Sequence, residues 1–241
     1  MTLGFDVAWP QSSFDTDDAR ALVRARHTVA IVGRQKSNTW AVAQRNAILA
    51  GGGTVPGEYW ESLRGTNPTP WPDTRFIAVA VEPNSGFITE DAIDLAGEKI
   101  DRLGLVKVLY SSHEQMRVLG LLDVDFEARG WKCWNAKYDG AAGDFTLPRP
   151  YCGFTRGVSD QSAVAGQYGQ PRVPGVNFDI DLDNIDTVWL QRITATSLRL
   201  TVDDVADIYR EVAVPDLSGN VTITRLPLDP GQKRHVEISI R

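Results

Sequence analysis

The 241-residue chain is 42% hydrophobic and 23% charged, a balance that supports a packed core and excludes a coiled coil, a collagen-like chain or disorder. Its formal net charge of -6 offers no cationic surface to phosphates, so nucleic acid is not an expected partner. No run of residues has the length and apolarity of a membrane span or a secretory signal peptide, so no membrane association or signal-directed export is expected.

From the start to about residue 125, short apolar runs alternate with amphipathic stretches, the pattern of repeated strand-helix units around a parallel sheet. Strands are predicted at "GFDVAW" (4–9), "TVAIVGR" (28–34), "TVPGEYW" (54–60), "RFIAVAVE" (75–82) and "VKVLYSS" (106–112), with helices over 16–26, 38–51, 88–103 and 113–122. The third helix carries clear punctuation: Thr89 as its cap, acids in its first turn and Gly104 after its last.

Beyond residue 125 the helical period stops, and strand-like pieces follow at 131–139, 162–169 and 177–183. Five strand-helix units and three further strands predict a TIM-like (β/α)5β3 barrel over residues 1–186, with any chemistry at the C-terminal ends of its strands. Residues 187–241 alternate apolar and polar positions in "SLRLTV", "NVTITR" and "HVEISI", and predict a small β-rich appendage that docks on the barrel or on another protein. Cys133 and Cys152 lack the paired spacing of a zinc site and read as buried free thiols, with a disulfide as the alternative if their strands meet. Neither a metal nor another cofactor is expected.

Carboxylates recur at equivalent places in the predicted barrel: Asp6 in the first strand, Glu82 ending the fourth, and Asp179 or its neighbour Asp181 in the last. Closure brings the first and last strands together, so these acids predict a shared site at one rim. Cleaving a glycosidic bond needs one carboxylic acid held protonated and a second carboxylate to stabilise positive charge on the sugar. Glu82, at the end of an apolar strand, is the natural acid. Trp9, Tyr59, Trp60, Tyr110, Trp134, Tyr138 and Tyr168 are the aromatics near that rim that can stack on sugar faces or pack as core.

Over residues 4 to about 185 the chain resembles glycoside hydrolase family 25, the lysozyme-like muramidases of phage endolysins and bacteria. The opening "GFDVAWPQ" is similar to that family's Gly-x-Asp-Val-Ser start, "PGEYW" to its Gly-x-Tyr-His-Phe, and "KVLYSS" to its Ile-Tyr-Thr-Ser. Further on, "CWNAKY", "AGQYG" and "RVPGVNFDID" are similar to its Trp-x-Ala-x-Tyr, Trp-Gln-Tyr and closing Gly-x-x-Gly-Asn-Val-Asp-Leu-Asn. The resemblance implies hydrolysis of the β-1,4 bond between N-acetylmuramic acid and N-acetylglucosamine, with peptidoglycan or another cell-wall glycan as partner. It implies Glu82 as general acid, Asp6 and Asp179 as supporting aspartates, and Tyr59, Tyr110 and Trp134 as cleft aromatics. The chain departs from the family pattern where Ala80 replaces the first acid of the fourth-strand Asp-x-Glu, Trp60 the third-strand His, and Ala8 the Ser after Asp-Val. An alternative expectation is a weakly active or inactive structural protein, such as a phage minor tail or baseplate component, that keeps the barrel as a wall-binding module and meets virion partners through 187–241. Either protein would sit in the virion, or in the host cytoplasm before release, and act at the bacterial cell wall.

Overall fold

The computed structural model describes residues 1–8, 13–34, 39–61, 69–137, 145–165, 173–176, 180–195, 197–202, 221–225 and 234–240. The first unit contains β1 (Thr2–Val7), α1 (Thr16–Arg24), β2 (His27–Arg34), α2 (Thr39–Ala50), β3 (Thr54–Trp60) and β4 (Phe76–Ala80). It continues with α3 (Glu90–Arg102), β5 (Val106–Ser111), α4 (His113–Val118), β6 (Lys132–Ala136), β7 (Ser159–Ala165), β8 (Ile180–Ile185) and α5 (Thr187–Thr194). Strands β1 to β8 close in sequence order into an eight-stranded barrel, so the molecule has the expected α/β barrel fold. Strands β1 to β7 run parallel, whereas β8 is antiparallel to both of its neighbours, β7 and β1. That reversal places the start of β8 at the rim where the other strands end.

The period-two alternation of each strand divides its residues between two layers. Phe5, Val7, Ala30 and Val32 face outward and pack on Ala19 and Leu22 of α1 and on Ala41 and Ile48 of α2. Ile77, Val79, Leu109 and Cys133 do the same against Ile93, Ala96 and Ile100 of α3 and Met116 of α4. Inside the barrel, Ile31, Phe76, Ala78, Val108 and Trp134 form a separate cluster with Tyr59 and Tyr110. Trp189 and Ile193 of α5 join that interior cluster, with the Trp189 ring 5.2 Å from that of Phe76. The lumen is therefore packed at the end nearest α5, and its polar residues gather at the opposite end.

Local signals behave as the sequence predicts at α3, where Thr89 Oγ1 accepts the Ala92 N–H at 3.3 Å and Gly104 adopts a φ of 68° just past the helix. The described part of the β3–β4 link carries no helix. Strands β7 and β8 lie about three residues away from their predicted spans, because Ser159, Asp160, Asp183 and Asn184 are buried polar residues that break the apolar alternation. Cys133 and Cys152 are both free and buried. No helix among the described residues is long and apolar enough to cross a membrane.

The second unit, Thr194–Arg241, contains β9 (Ser197–Val202), β10 (Val221–Arg225) and β11 (Arg234–Ile240). These make a three-stranded sheet of order β10-β11-β9, with β11 antiparallel to both flanking strands. The division falls after Ile193 rather than after residue 186, because Trp189 and Ile193 of α5 belong to the barrel interior.

Candidate active site at the barrel mouth

Asp6 pairs with Asp181 across the β1–β8 ladder, and Gly4 with Asp183. Since β8 enters from the rim, its alternate residues Asp181 and Asp183 share the lumen side with Asp6. Asp6 is 7% exposed, and its Oδ2 has no hydrogen-bond partner among the described residues. Burial pushes its carboxyl well above the usual range, and the charges of Asp181, Asp183 and Glu82 push in the same direction. Asp183, buried deeper, accepts the Trp134 Nε1–H on Oδ1 at 2.9 Å. Burial and the Asp181 charge raise its carboxyl well above the usual range against the opposing effect of that bond.

Glu82 stands two residues beyond β4, half-buried. The ladder continues past Ala80, with the Val81 N–H donating to the Tyr110 carbonyl at 2.8 Å, so the alternation that turns Ala78 inward also turns Glu82 toward the lumen. Its Oε1 accepts the Gln115 Nε2–H at 3.2 Å. The Gln115 amide is oriented by the capping box of α4: its Oε1 accepts the Ser112 N–H at 2.9 Å, and Ser112 Oγ accepts the Gln115 N–H at 3.1 Å. The oxygen of that amide is thus engaged at the helix cap, and the NH2 group faces the Glu82 carboxyl.

Glu61 follows β3 and is half-buried. Burial raises its carboxyl above the usual range, and the Glu82 charge adds to the effect. The Tyr59 hydroxyl is likewise raised well above its ordinary value, by burial and then by Asp6, Glu61, Asp181 and Glu82. The charges of these four carboxyl groups therefore all act on one phenol. Tyr59 and Tyr110 are half-buried against the buried Trp134, with ring centroids 6.3 Å and 4.6 Å from it.

Among the sequence candidates, Asp6, Glu82, Tyr59, Tyr110 and Trp134 converge at this mouth. Trp134 is buried against the tyrosines, so its indole holds Asp183 rather than offering an open face to a sugar. Trp60 is corrected from rim to core: strand parity turns it outward, where it packs at 2% exposure with Ile77, Val79 and Ile93. Trp9, Tyr138, Tyr168 and Asp179 lie outside the described residues. Three participants were not singled out from the sequence, namely Glu61, Asp183 and Gln115. The parity of "GEYWE" marks Glu61, and the Ser-x-x-Gln of "SHEQ" marks Gln115 as a capping-box residue.

Chemically, the mouth combines carboxyl groups whose hold on a proton burial strengthens, a carboxyl engaged by a fixed amide, and two tyrosine faces. It can give and take protons and hold a polar ligand against rings. Among the described residues, no group of three or more His, Cys, Asp or Glu side chains is placed to hold a metal ion. Fold and mouth together define a closed α/β barrel with an acid-lined opening at the C-terminal ends of its parallel strands. No family model, no curated protein and no solved structure matches the chain.

Proposed function

We propose that the barrel is a lysozyme-type glycoside hydrolase that cleaves the β-1,4 bond between N-acetylmuramic acid and N-acetylglucosamine in peptidoglycan, with Glu82 as general acid. The observation that carries this reading is the position of Glu82, held by Gln115 at the barrel mouth, where its charge and those of Asp6, Glu61 and Asp181 act on Tyr59. Protonation of a leaving glycosidic oxygen needs such an acid, and the sugar's developing charge needs carboxylates nearby. Asp6 and the β8 aspartates supply polar walls that can bond sugar hydroxyls and acetamido groups. The resemblance to glycoside hydrolase family 25 points to the same substrate.

The test is release of reducing ends from purified peptidoglycan. The wild-type chain is expected to release them somewhere between about pH 4 and 8, and Glu82→Gln to abolish release with an unchanged melting temperature. A wild-type chain without release across that range would overturn the reading.

A second reading, a virion component of phage tail or baseplate type with little turnover, is favoured by the separate C-terminal unit. Among the described residues each outer strand of its sheet, β9 and β10, has a single ladder partner, and such edges suit pairing with another chain. On this reading, deletion of residues 194–241 removes the protein from its assembly without loss of glycan binding by the barrel. Continued incorporation of the shortened chain would count against it.

A further inference from the structure

Glycosidic cleavage takes two carboxyl groups, and Glu82 is one. Asp183 is committed to Trp134 in the interior, and Asp6 with its ladder partner Asp181 sits at the β1–β8 seam, on strands that do not adjoin β4. Ala80, the inward residue before Glu82, brings none. Glu61 is placed differently. Strand β3 pairs with β4 as Tyr59 with Ala78 and Trp60 with Val79, so the next step along both strands sets Glu61 beside Ala80. Gly57 and Tyr59 face the lumen, and Glu61 follows one residue past the end of β3 with its carboxyl within reach of the Glu82 charge. The chain after β4 then folds back on it: the Ser85 N–H donates to the Glu82 carbonyl at 2.9 Å, and the Gly86 N–H donates to the Glu61 carbonyl at 2.8 Å. One turn therefore ties the backbones of the two glutamates together at the ends of adjacent strands.

We propose that Glu61 is the second catalytic carboxylate of the cleft, acting beside Glu82 in the place that Ala80 leaves without an acid; this rests on the glycosidase reading above. Both groups lie on one flank of the opening, so Glu61 is not placed to activate water from the face opposite the acid. In its ionised form it accepts instead the acetamido N–H of the sugar being cleaved, a bond to the carboxylate that opposes the rise burial gives its carboxyl. Glu82 gives its proton to the glycosidic oxygen as the C1–O bond breaks, and the acetamido carbonyl oxygen closes on C1 with Glu61 balancing the positive charge. Water then adds to C1 and passes a proton to the Glu82 carboxylate, the ring opens, and both glutamates return to their starting states with one water consumed.

The experiment compares the full-length wild type, Glu61→Gln and Glu61→Asp on purified peptidoglycan, with melting temperature as a fold control. Glu61→Gln is expected to lower kcat by about 10²- to 10⁴-fold with KM within about threefold, and Glu61→Asp to recover part of the loss. On peptidoglycan stripped of its N-acetyl groups, wild type and Glu61→Gln are expected to be equally slow. A wild type that turns over while Glu61→Gln keeps kcat within about threefold would sink this assignment and leave the glycosidase reading standing. A wild type without turnover would remove both. Independently of turnover, the Glu61 carboxyl ¹³C resonance should titrate at lower pH in Glu82→Gln than in wild type; an unmoved midpoint means that the two are not a pair, and overturns the proposal.

Discussion

Trp134 donates its indole N–H to Asp183 at 2.9 Å inside the barrel, where both side chains are buried. The other Asp183 oxygen has no partner among the described residues, so this bond is the carboxyl's main compensation for leaving water. Trp134→Phe removes the donor and opens a small void. We expect a loss of about 2 to 4 kcal/mol in urea unfolding at neutral pH. A loss below about 1 kcal/mol would show that the bond does little to hold the interior.

Asp6 makes stability depend on pH in a direction opposite to that of a salt-bridged acid. Its folded carboxyl titrates well above the ordinary 3.8, through burial first and then its acidic neighbours, so the folded chain binds its proton more tightly than the unfolded chain does. Stability is fullest below the unfolded value and falls as pH rises toward the folded one. Asp6→Asn is therefore expected to stabilise the barrel at neutral pH, by about 1.4 kcal/mol for every tenfold by which folding tightens the hold on that proton, and to make no difference near pH 4 and below. Unfolding midpoints at several pH values check this; a gain that persists at low pH would place its origin elsewhere.

The barrel was legible because its outer layer is written in period-two and helical patterns, as in "TVAIVGR" and "TEDAIDLAGEKIDR". The mouth was legible only in part. Asp6 and Glu82 stood out as acids on apolar strands, but Asp183 is the last of three alternating acids in "DIDLD", and alternation alone does not mark which of them reaches the buried indole of Trp134. Trp60 illustrates the converse: an aromatic near a strand end reads as either a stacking surface or core until the parity of β3 turns it into the core. Gln115 acts through a helix cap and a carboxyl far away in sequence, and only the folded chain brings those two partners to one amide.

Arg34 and Glu58 form an ion pair with side chains 4% and 0% exposed. Glu58 also accepts the Trp71 N–H at 2.8 Å and the Thr74 hydroxyl, and the Arg34 guanidinium lies 4.2 Å from the Trp71 ring centroid. The pair thus fastens the segment entering β4 to the ends of β2 and β3. Arg34→Met strands a buried carboxylate and is expected to cost about 3 to 5 kcal/mol, whereas adding Glu58→Gln should recover much of that loss. A double-mutant cycle in urea measures the coupling, and a value under about 0.5 kcal/mol would mean that the two act independently.

Gly57 faces the lumen on β3, where the ring of Phe76 occupies the space that a side chain would take. A methyl group there would meet Phe76 Cζ at 2.1 Å and both Cε atoms at 2.6 Å, and Phe76 is backed by Trp189 from below. Neither ring has an easy retreat, so Gly57→Ala is expected to cost about 3 kcal/mol or more. Phe76→Leu, which removes the obstructing edge, should make the double variant more stable than Gly57→Ala alone even though it is destabilising in the wild-type background. If instead Gly57→Ala is tolerated within about 0.5 kcal/mol, the lumen is not filled by Phe76 and Trp189, and the packed floor that confines the acidic groups to the mouth is absent.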